Sequence, residues 1–172
     1  MFDYKNAALA DRVRFVIAHC GLITERTLQE IAGHNDDTIL QLITAVDLMK
    51  MPSVVHDKKI GYYVYRNMRN GFDAGADRYS VWSETAANGL FISSNPEKHL
   101  WMTADELQAL TKKVRSNPKI RFAPKFIYCR NGDPKDVVAV FYGKKRLTPS
   151  QEELDMVGSA FGATEAQFYV FD

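Results

Sequence analysis

Leu9, Val13, Val16, Ile17 and Cys20 recur every three or four positions, which places them on one face of an amphipathic helix that Gly21 terminates. After the short apolar piece Leu22-Ile23, Thr24 caps a second helix, Glu25 to Ala32, whose apolar face is Leu28, Ile31 and Ala32. Gly33 ends it, and His34-Asn35 make the turn. Asn35 or Asp36 caps a third helix, predicted to run to about Lys50 with Ile39, Leu42, Ile43, Val46 and Met49 as its stripe. Pro52 is the stop. Two β-rich runs follow, Ser53 to His56 and Tyr62 to Tyr65, and the polar stretch Asp57 to Gly61 between them reads as a hairpin turn.

From Arg66 to Asn88 the periodicity fades. Asn70, Gly71, Gly75 and Asn88 mark a linker or irregular crossover, interrupted by the apolar pieces Tyr79 and Val81-Trp82, with Trp82 and Trp101 as anchors onto a core. Gly89 to Ser93 reads as a strand. Thr103-Ala104-Asp105-Glu106 is a capping box, so a helix runs from Ala104 to about Ser116, before Pro118. Lys125 to Arg130 and Asp136 to Tyr142 are strands joined by the turn Asn131-Gly132-Asp133-Pro134. Thr148-Pro149-Ser150-Gln151 opens another helix, with proline at its first position, ending near Gly162. Ala166 to Phe171 is the last strand. The fold class is therefore α+β, with a first domain over 1–66, a linker over 67–88 and an α+β domain over 89–172 built on a mainly antiparallel sheet.

Three helices, a tight turn between the second and third, and a hairpin, carrying Ile23-Thr24…Leu28…Ile31-Ala32-Gly33…Ile39…Leu42, resemble the winged-helix family of helix-turn-helix domains over residues 7–66. The β-α-β-β-α-β order of the second half resembles ferredoxin-like domains. The winged-helix resemblance implies that the outward face of the third helix contacts a ligand, either DNA or another protein. With the apolar stripe facing the core, that face carries Asp37, Thr38, Gln41, Thr44 and Leu48. Thr38 and Gln41 can pair with base edges. On a protein partner, Thr44 and Leu48 join the contact and Leu48 is its apolar anchor. Asp36 and Asp37 suit the helix dipole but repel phosphate. Basic help comes only from Lys58 and Lys59 in the hairpin and from Arg66 and Arg69 after it.

Composition alters this picture little. The 172 residues are 46% hydrophobic and 25% charged, an ordinary globular balance, and the net charge is +1. Distribution matters more. Lys112, Lys113, Arg115, Lys119, Arg121, Lys125, Arg130, Lys135, Lys144, Lys145 and Arg146 face only Asp133 and Asp136, a local charge of +9. Leu147 to Asp172 holds five acids and no Lys or Arg. Such segregation either builds a basic face for phosphates or an acidic protein surface, or is neutralised within the fold. The candidate nucleic-acid contacts in this half are Lys112, Lys113, Arg115, Lys144, Lys145 and Arg146.

Catalytic chemistry finds no foothold. His19, His34, His56 and His99 show no metal-ligand spacing with each other or with Cys20 and Cys129, and no glycine-rich phosphate loop or nucleophile elbow occurs. His19 and Cys20 are adjacent, but neighbours on a helix point about 100° apart. Asp36-Asp37 is read as capping. The cysteines sit among apolar neighbours as buried free thiols. No basic-then-apolar leader opens the chain, and its longest apolar run, Val137 to Tyr142, is far short of the roughly 20 residues of a membrane span. A cytoplasmic location follows as an expectation.

Phe91, Phe126, Tyr128, Tyr142, Tyr169 and Phe171 fall on predicted strands. Left open on one sheet face, they would stack on single-stranded nucleic acid; otherwise the linker, the first domain or a second subunit covers them. The reading is a non-enzymatic, cofactor-free nucleic-acid-binding regulatory protein, with a homodimer left open. The alternative is a protein-interaction module that docks on and inhibits or redirects a partner such as a polymerase or nuclease.

Overall fold

Caps decide where the first helices begin and stop. The structure, a computed structural model, describes residues 1–55, 58–67 and 78–171, the side chains of 52–55 and 78–79 excepted. Helix α1 (Leu9–Cys20) buries Val13, Phe15, Val16, Ile17 and Cys20 and ends on Gly21, whose left-handed backbone (φ 72°) returns its N–H to the Ile17 carbonyl. Strand β2 (Ile23–Thr24) leads into α2 (Glu25–Ile31), where the Thr24 hydroxyl accepts the Thr27 N–H at 3.1 Å. Helix α3 (Asp36–Val46) is capped by Asn35, whose side-chain oxygen accepts the Thr38 N–H at 2.9 Å.

Helix α3 stops four residues before the predicted end. Asp47 adopts the left-handed conformation (φ 55°) and returns its N–H to the Ile43 and Thr44 carbonyls. Aspartate tolerates that backbone, so the stop needs neither Gly nor Pro. The chain passes directly into β3 (Leu48–Val55), which pairs antiparallel with β4 (Lys58–Tyr65) from Leu48↔Tyr65 to Val55↔Lys58. Pro52 lies inside β3, opposite Gly61. It fits because the sheet order is β2-β4-β3, which makes β3 an edge strand that can spare an N–H. The turn residues His56 and Asp57 lie outside the described residues.

Two further expectations change here. Leu48 is not an outward helical residue: as the first residue of β3 it is 1% exposed. Gly89 to Ser93 is not a strand but the last turns of α4 (Arg78–Ser93), a 16-residue helix that takes in half of the expected linker. Asn88 and Gly89 look like breakers in the sequence. In the helix, Asn88 is buried and hydrogen-bonded, and Gly89 is exposed. Phe91, read as a strand aromatic, is buried on α4 with its ring 5.7 Å from that of Phe15. Residues 68–77, including Asn70, Gly71, Gly75 and Arg69, lie outside the described residues.

The chain divides into two compact units, Ala7–Ser94 and Met1–Asn6 with Asn95–Asp172. Helix α4 thus belongs to the first unit rather than to a linker and second domain. The second unit takes the first six residues, because β1 (Phe2–Asp3) pairs with β5 (Leu100–Trp101). Its other elements are α5 (Ala104–Val114), β6 (Phe126–Cys129), β7 (Val137–Gly143), α6 (Gln151–Ala160) and β8 (Glu165–Val170). The Thr103–Glu106 capping box forms in full. Ser150, not Thr148, caps α6, with Pro149 just outside the helix.

The sheet order is β1-β5-β6-β7-β8, antiparallel except for the parallel pair β7–β8. The class is α+β. The ferredoxin-like arrangement is not realised, because α5 connects adjacent antiparallel strands and α6 makes a plain parallel crossover between neighbours. Helices α5 and α6 bring Leu107, Leu154, Val157 and Phe161 onto Ile127, Ala139 and Phe141. Close approach is required where α6 meets β8: a Cβ on Gly158 would stand 2.6 Å from the Ala166 Cβ.

Replacing Leu48 by Asp should destabilise the first unit by about 3 kcal/mol or more, from the lost core side chain and a buried carboxylate. Circular dichroism under urea would show it, and a variant as stable as the parent would contradict the burial.

Candidate nucleic-acid interface

Helix α3 presents Asp36, Asp37, Leu40, Gln41, Thr44 and Ala45 to solvent. Its hydroxyls are committed locally. The Thr38 Oγ1, half-buried, donates to the Asn35 side chain at 3.0 Å, and the Thr44 Oγ1 donates to the Leu40 carbonyl at 3.1 Å. Thr38 therefore serves the cap, and Gln41 remains the exposed amide of this face. Leu48, offered as an anchor, is in the core. The exposed apolar residue is instead Leu40, 63% accessible. The sequence stripe passed over Leu40 because Ile39 and Leu42 already satisfied the periodicity.

Lys58 and Lys59 are exposed on β4. Lys50 is tied to Glu25 at 2.9 Å and its ammonium stands 5.9 Å over the Tyr63 ring. The hydrogen bond to Glu25 raises its pKa. Arg66 binds Asp47 at 3.1 Å, so it brings no net charge. A groove of about 460 Å³ lies between the start of α2, β4 and α4, lined by Arg26, Lys59, Gly61, Thr85, Gly89 and Ile92 among others. Lys59 and Arg26, both exposed cations, thus line one groove, which no sequence spacing signals.

In the second unit the basic run is spread over several elements. Lys112, Lys113 and Arg115 close α5, where positive charge complements the helix dipole, and Arg115 reaches the Arg121 carbonyl at 3.4 Å. Arg130 is occupied by Asp136, at 3.2 Å, and by Glu165. Lys144, Lys145 and Arg146 form the short turn after β7, with Lys145 and Arg146 exposed. Strand β6 begins beside this end of β7, since the Lys125 N–H donates to the Val140 carbonyl at 2.8 Å. The Lys125 ammonium stands 5.9 Å over the Tyr142 ring.

Strand register sorts the aromatics. Ile127, Ala139, Phe141 and Phe168 face the helices, so Trp101, Phe126, Tyr128, Tyr142 and Tyr169 share the opposite face. Trp101, Phe126 and Tyr128 are buried. Trp101 donates its indole N–H to the Pro96 carbonyl at 2.9 Å, and the His99 ring stacks on Tyr128 at 4.4 Å. Burial relaxes toward β8, where Tyr142 and Phe171 are half-buried and Tyr169 is 41% exposed. Tyr142 pairs in register with Tyr169, and its ring lies 4.9 Å from that of Phe171.

Both cysteines are free and buried, and burial pushes the Cys129 thiol up. Among the described residues no group of three or more His, Cys, Asp or Glu is placed to hold a metal ion. No described helix is long and apolar enough to cross a membrane. Comparison with protein-family models, curated proteins and solved structures finds no match for this chain.

The hydrogen bond from Arg130 holds the Glu165 carboxyl below its usual value. A depressed carboxylate adds stability that is present above the unfolded pKa, about 4.3, and is lost as pH falls through the folded value. Unfolding midpoints of the parent and Glu165→Gln should therefore differ at pH 6 or so and converge as acid is added. A constant gap across that range would show that the ion pair contributes nothing.

Proposed function

We propose that the chain is a non-enzymatic, cytoplasmic, nucleic-acid-binding regulatory protein whose first unit is a winged helix. The observation that carries this reading is the order of that unit, α1-β2-α2-α3-β3-β4 with sheet order β2-β4-β3, which leaves one face of α3 in solvent and cations on the hairpin. Gln41 is the residue for base edges, since its amide both donates and accepts. Lys58, Lys59 and Arg26 hold phosphates. Asp36 and Asp37 at the start of α3 limit how closely that end approaches the backbone, so affinity is modest and strongly salt-dependent.

One observation favours the protein-docking reading. Leu40 is a large apolar side chain at the centre of the outward face of α3, 63% exposed, beside Gln41 and Thr44. Apolar surface at that place suits a protein partner better than a phosphate backbone.

A salt titration of the full chain on random duplex DNA separates the two. In the nucleic-acid reading, duplex is bound at about 50 mM salt, and changing both Lys58 and Lys59 to Gln weakens binding to every sequence alike and flattens the log–log salt slope by about two. Gln41→Ala then relaxes preference at one base pair by about 1–3 kcal/mol. No duplex binding at low salt by a folded chain would reject the reading and leave α3 as a protein-docking face centred on Leu40.

A further inference from the structure

We infer that the corner of the second unit formed by Tyr142, Tyr169 and Phe171, with Lys125 and the Lys144–Arg146 turn, is a stacking platform for unpaired bases of a single-stranded nucleic acid. The ligand class rests on the nucleic-acid reading above, but the site lies in the other unit and uses none of the same residues.

Three features converge on this corner. The first is placement on the sheet. Helices α5 and α6 occupy one face, and Tyr142 and Tyr169, register partners on β7 and β8, stand on the other. Phe171 continues that face past the end of β8, with its N–H on the Gly143 carbonyl at 3.1 Å and its ring 4.9 Å from that of Tyr142. The second is exposure. The aromatics nearer β5 on the same face are buried, whereas Tyr142 and Phe171 are half-buried and Tyr169 is 41% exposed. A tyrosine ring left in water at a sheet edge offers flat apolar surface, and every base has a π-face to lay on it whatever the sequence.

The third is charge. The Lys125 ammonium lies over the Tyr142 ring, and Lys145 and Arg146 are exposed in the turn that follows Gly143. The turn begins two residues after Tyr142, where β7 ends. Cations beside rings are what a strand needs, since its phosphates run alongside the stacked bases. A duplex, with its bases already stacked inside, cannot use the rings. The exposed end of Tyr169 is held by a hydrogen bond of 2.8 Å from its hydroxyl to the Gln167 side chain, which fixes the ring without covering it. A protein partner could exploit the apolar rings, but it would not need the adjacent cations.

The test uses the full chain and fluorescence anisotropy on labelled 12-nucleotide oligo(dU), oligo(U) and a random duplex at low salt. The parent should bind the single strands, and the two homopolymers tell whether the ribose or deoxyribose strand is favoured. Tyr169→Leu should weaken single-strand binding about tenfold and leave duplex binding unchanged, whereas Tyr169→Phe should keep it, because the ring and not the hydroxyl stacks. Changing both Lys144 and Lys145 to Gln should lower the single-strand salt slope. Circular dichroism verifies that the variants fold, and Tyr142→Leu provides a second probe of the same platform. Single-strand binding untouched in both leucine variants would overturn the platform. Duplex binding without single-strand binding would also overturn it while leaving the winged-helix reading standing, and binding to neither would remove both.

Discussion

One buried amide ties the first unit together. Asn88, 0% exposed, accepts the Thr24 N–H at 3.1 Å and donates to the Leu22 carbonyl at 3.2 Å and the Glu84 carbonyl at 2.9 Å. These bonds join α4 to residues 64 and 66 positions earlier in the chain. Thr24 caps α2 and pairs with Tyr62 on β4, so a single side chain aligns a helix, a strand and a helix start. Every polar atom of that amide is satisfied, and a buried polar group in that state stabilises and specifies where a half-satisfied one would cost. The outward face of α3 and the hairpin depend on it at one remove, because α3 follows α2 and the hairpin pairs with β2.

The second unit rests on a different constraint, the alternation of its strands. Its helices need one sheet face, and they take Ile127, Ala139 and Phe141. Alternation then sends Phe126, Tyr128, Tyr142 and Tyr169 to the other face, buried near β5 and exposed at β8. Charge follows a similar partition. Arg130 is matched by Asp136 and Glu165, and Lys112 and Lys113 complement a helix end, while Lys145 and Arg146 are exposed in the turn after β7. The formal +9 of that stretch overstates the surface offered to a ligand.

Local grammar was legible where side chains meet their own backbone. Thr24 and Thr103 cap the helices that the sequence assigns to them, and Asn35 rather than Asp36 caps the third. Of the α1 stripe Val13, Val16, Ile17 and Cys20 are buried, with Leu9 half-buried and Phe15 buried outside the stripe. What was not legible depends on distant partners or on unmarked stops. Asp47 ends α3 in a left-handed conformation that no composition rule demands, so the sequence pattern carries Leu48 onto a helix face where the structure buries it in the core. Asn88-Gly89 looked like a break because the amide's partners lie more than sixty residues away. The sheet order, and with it the corner of Tyr142 and Tyr169, required knowing that β7 pairs with both β6 and β8. Gln41, Lys58 and Lys59 came from pattern alone and are exposed; Leu40 and Arg26 did not, because neither breaks a pattern.

That residues 7–94 form one cooperative unit, with α4 as a structural part, is tested most directly by urea unfolding of Asn88→Ala in the full chain, with amide hydrogen exchange at Thr24. The substitution leaves a buried N–H and carbonyl without partners, so a loss of about 2 kcal/mol or more is expected, together with faster exchange at Thr24. Stability within about 0.5 kcal/mol of the parent, with Thr24 still protected, would contradict it.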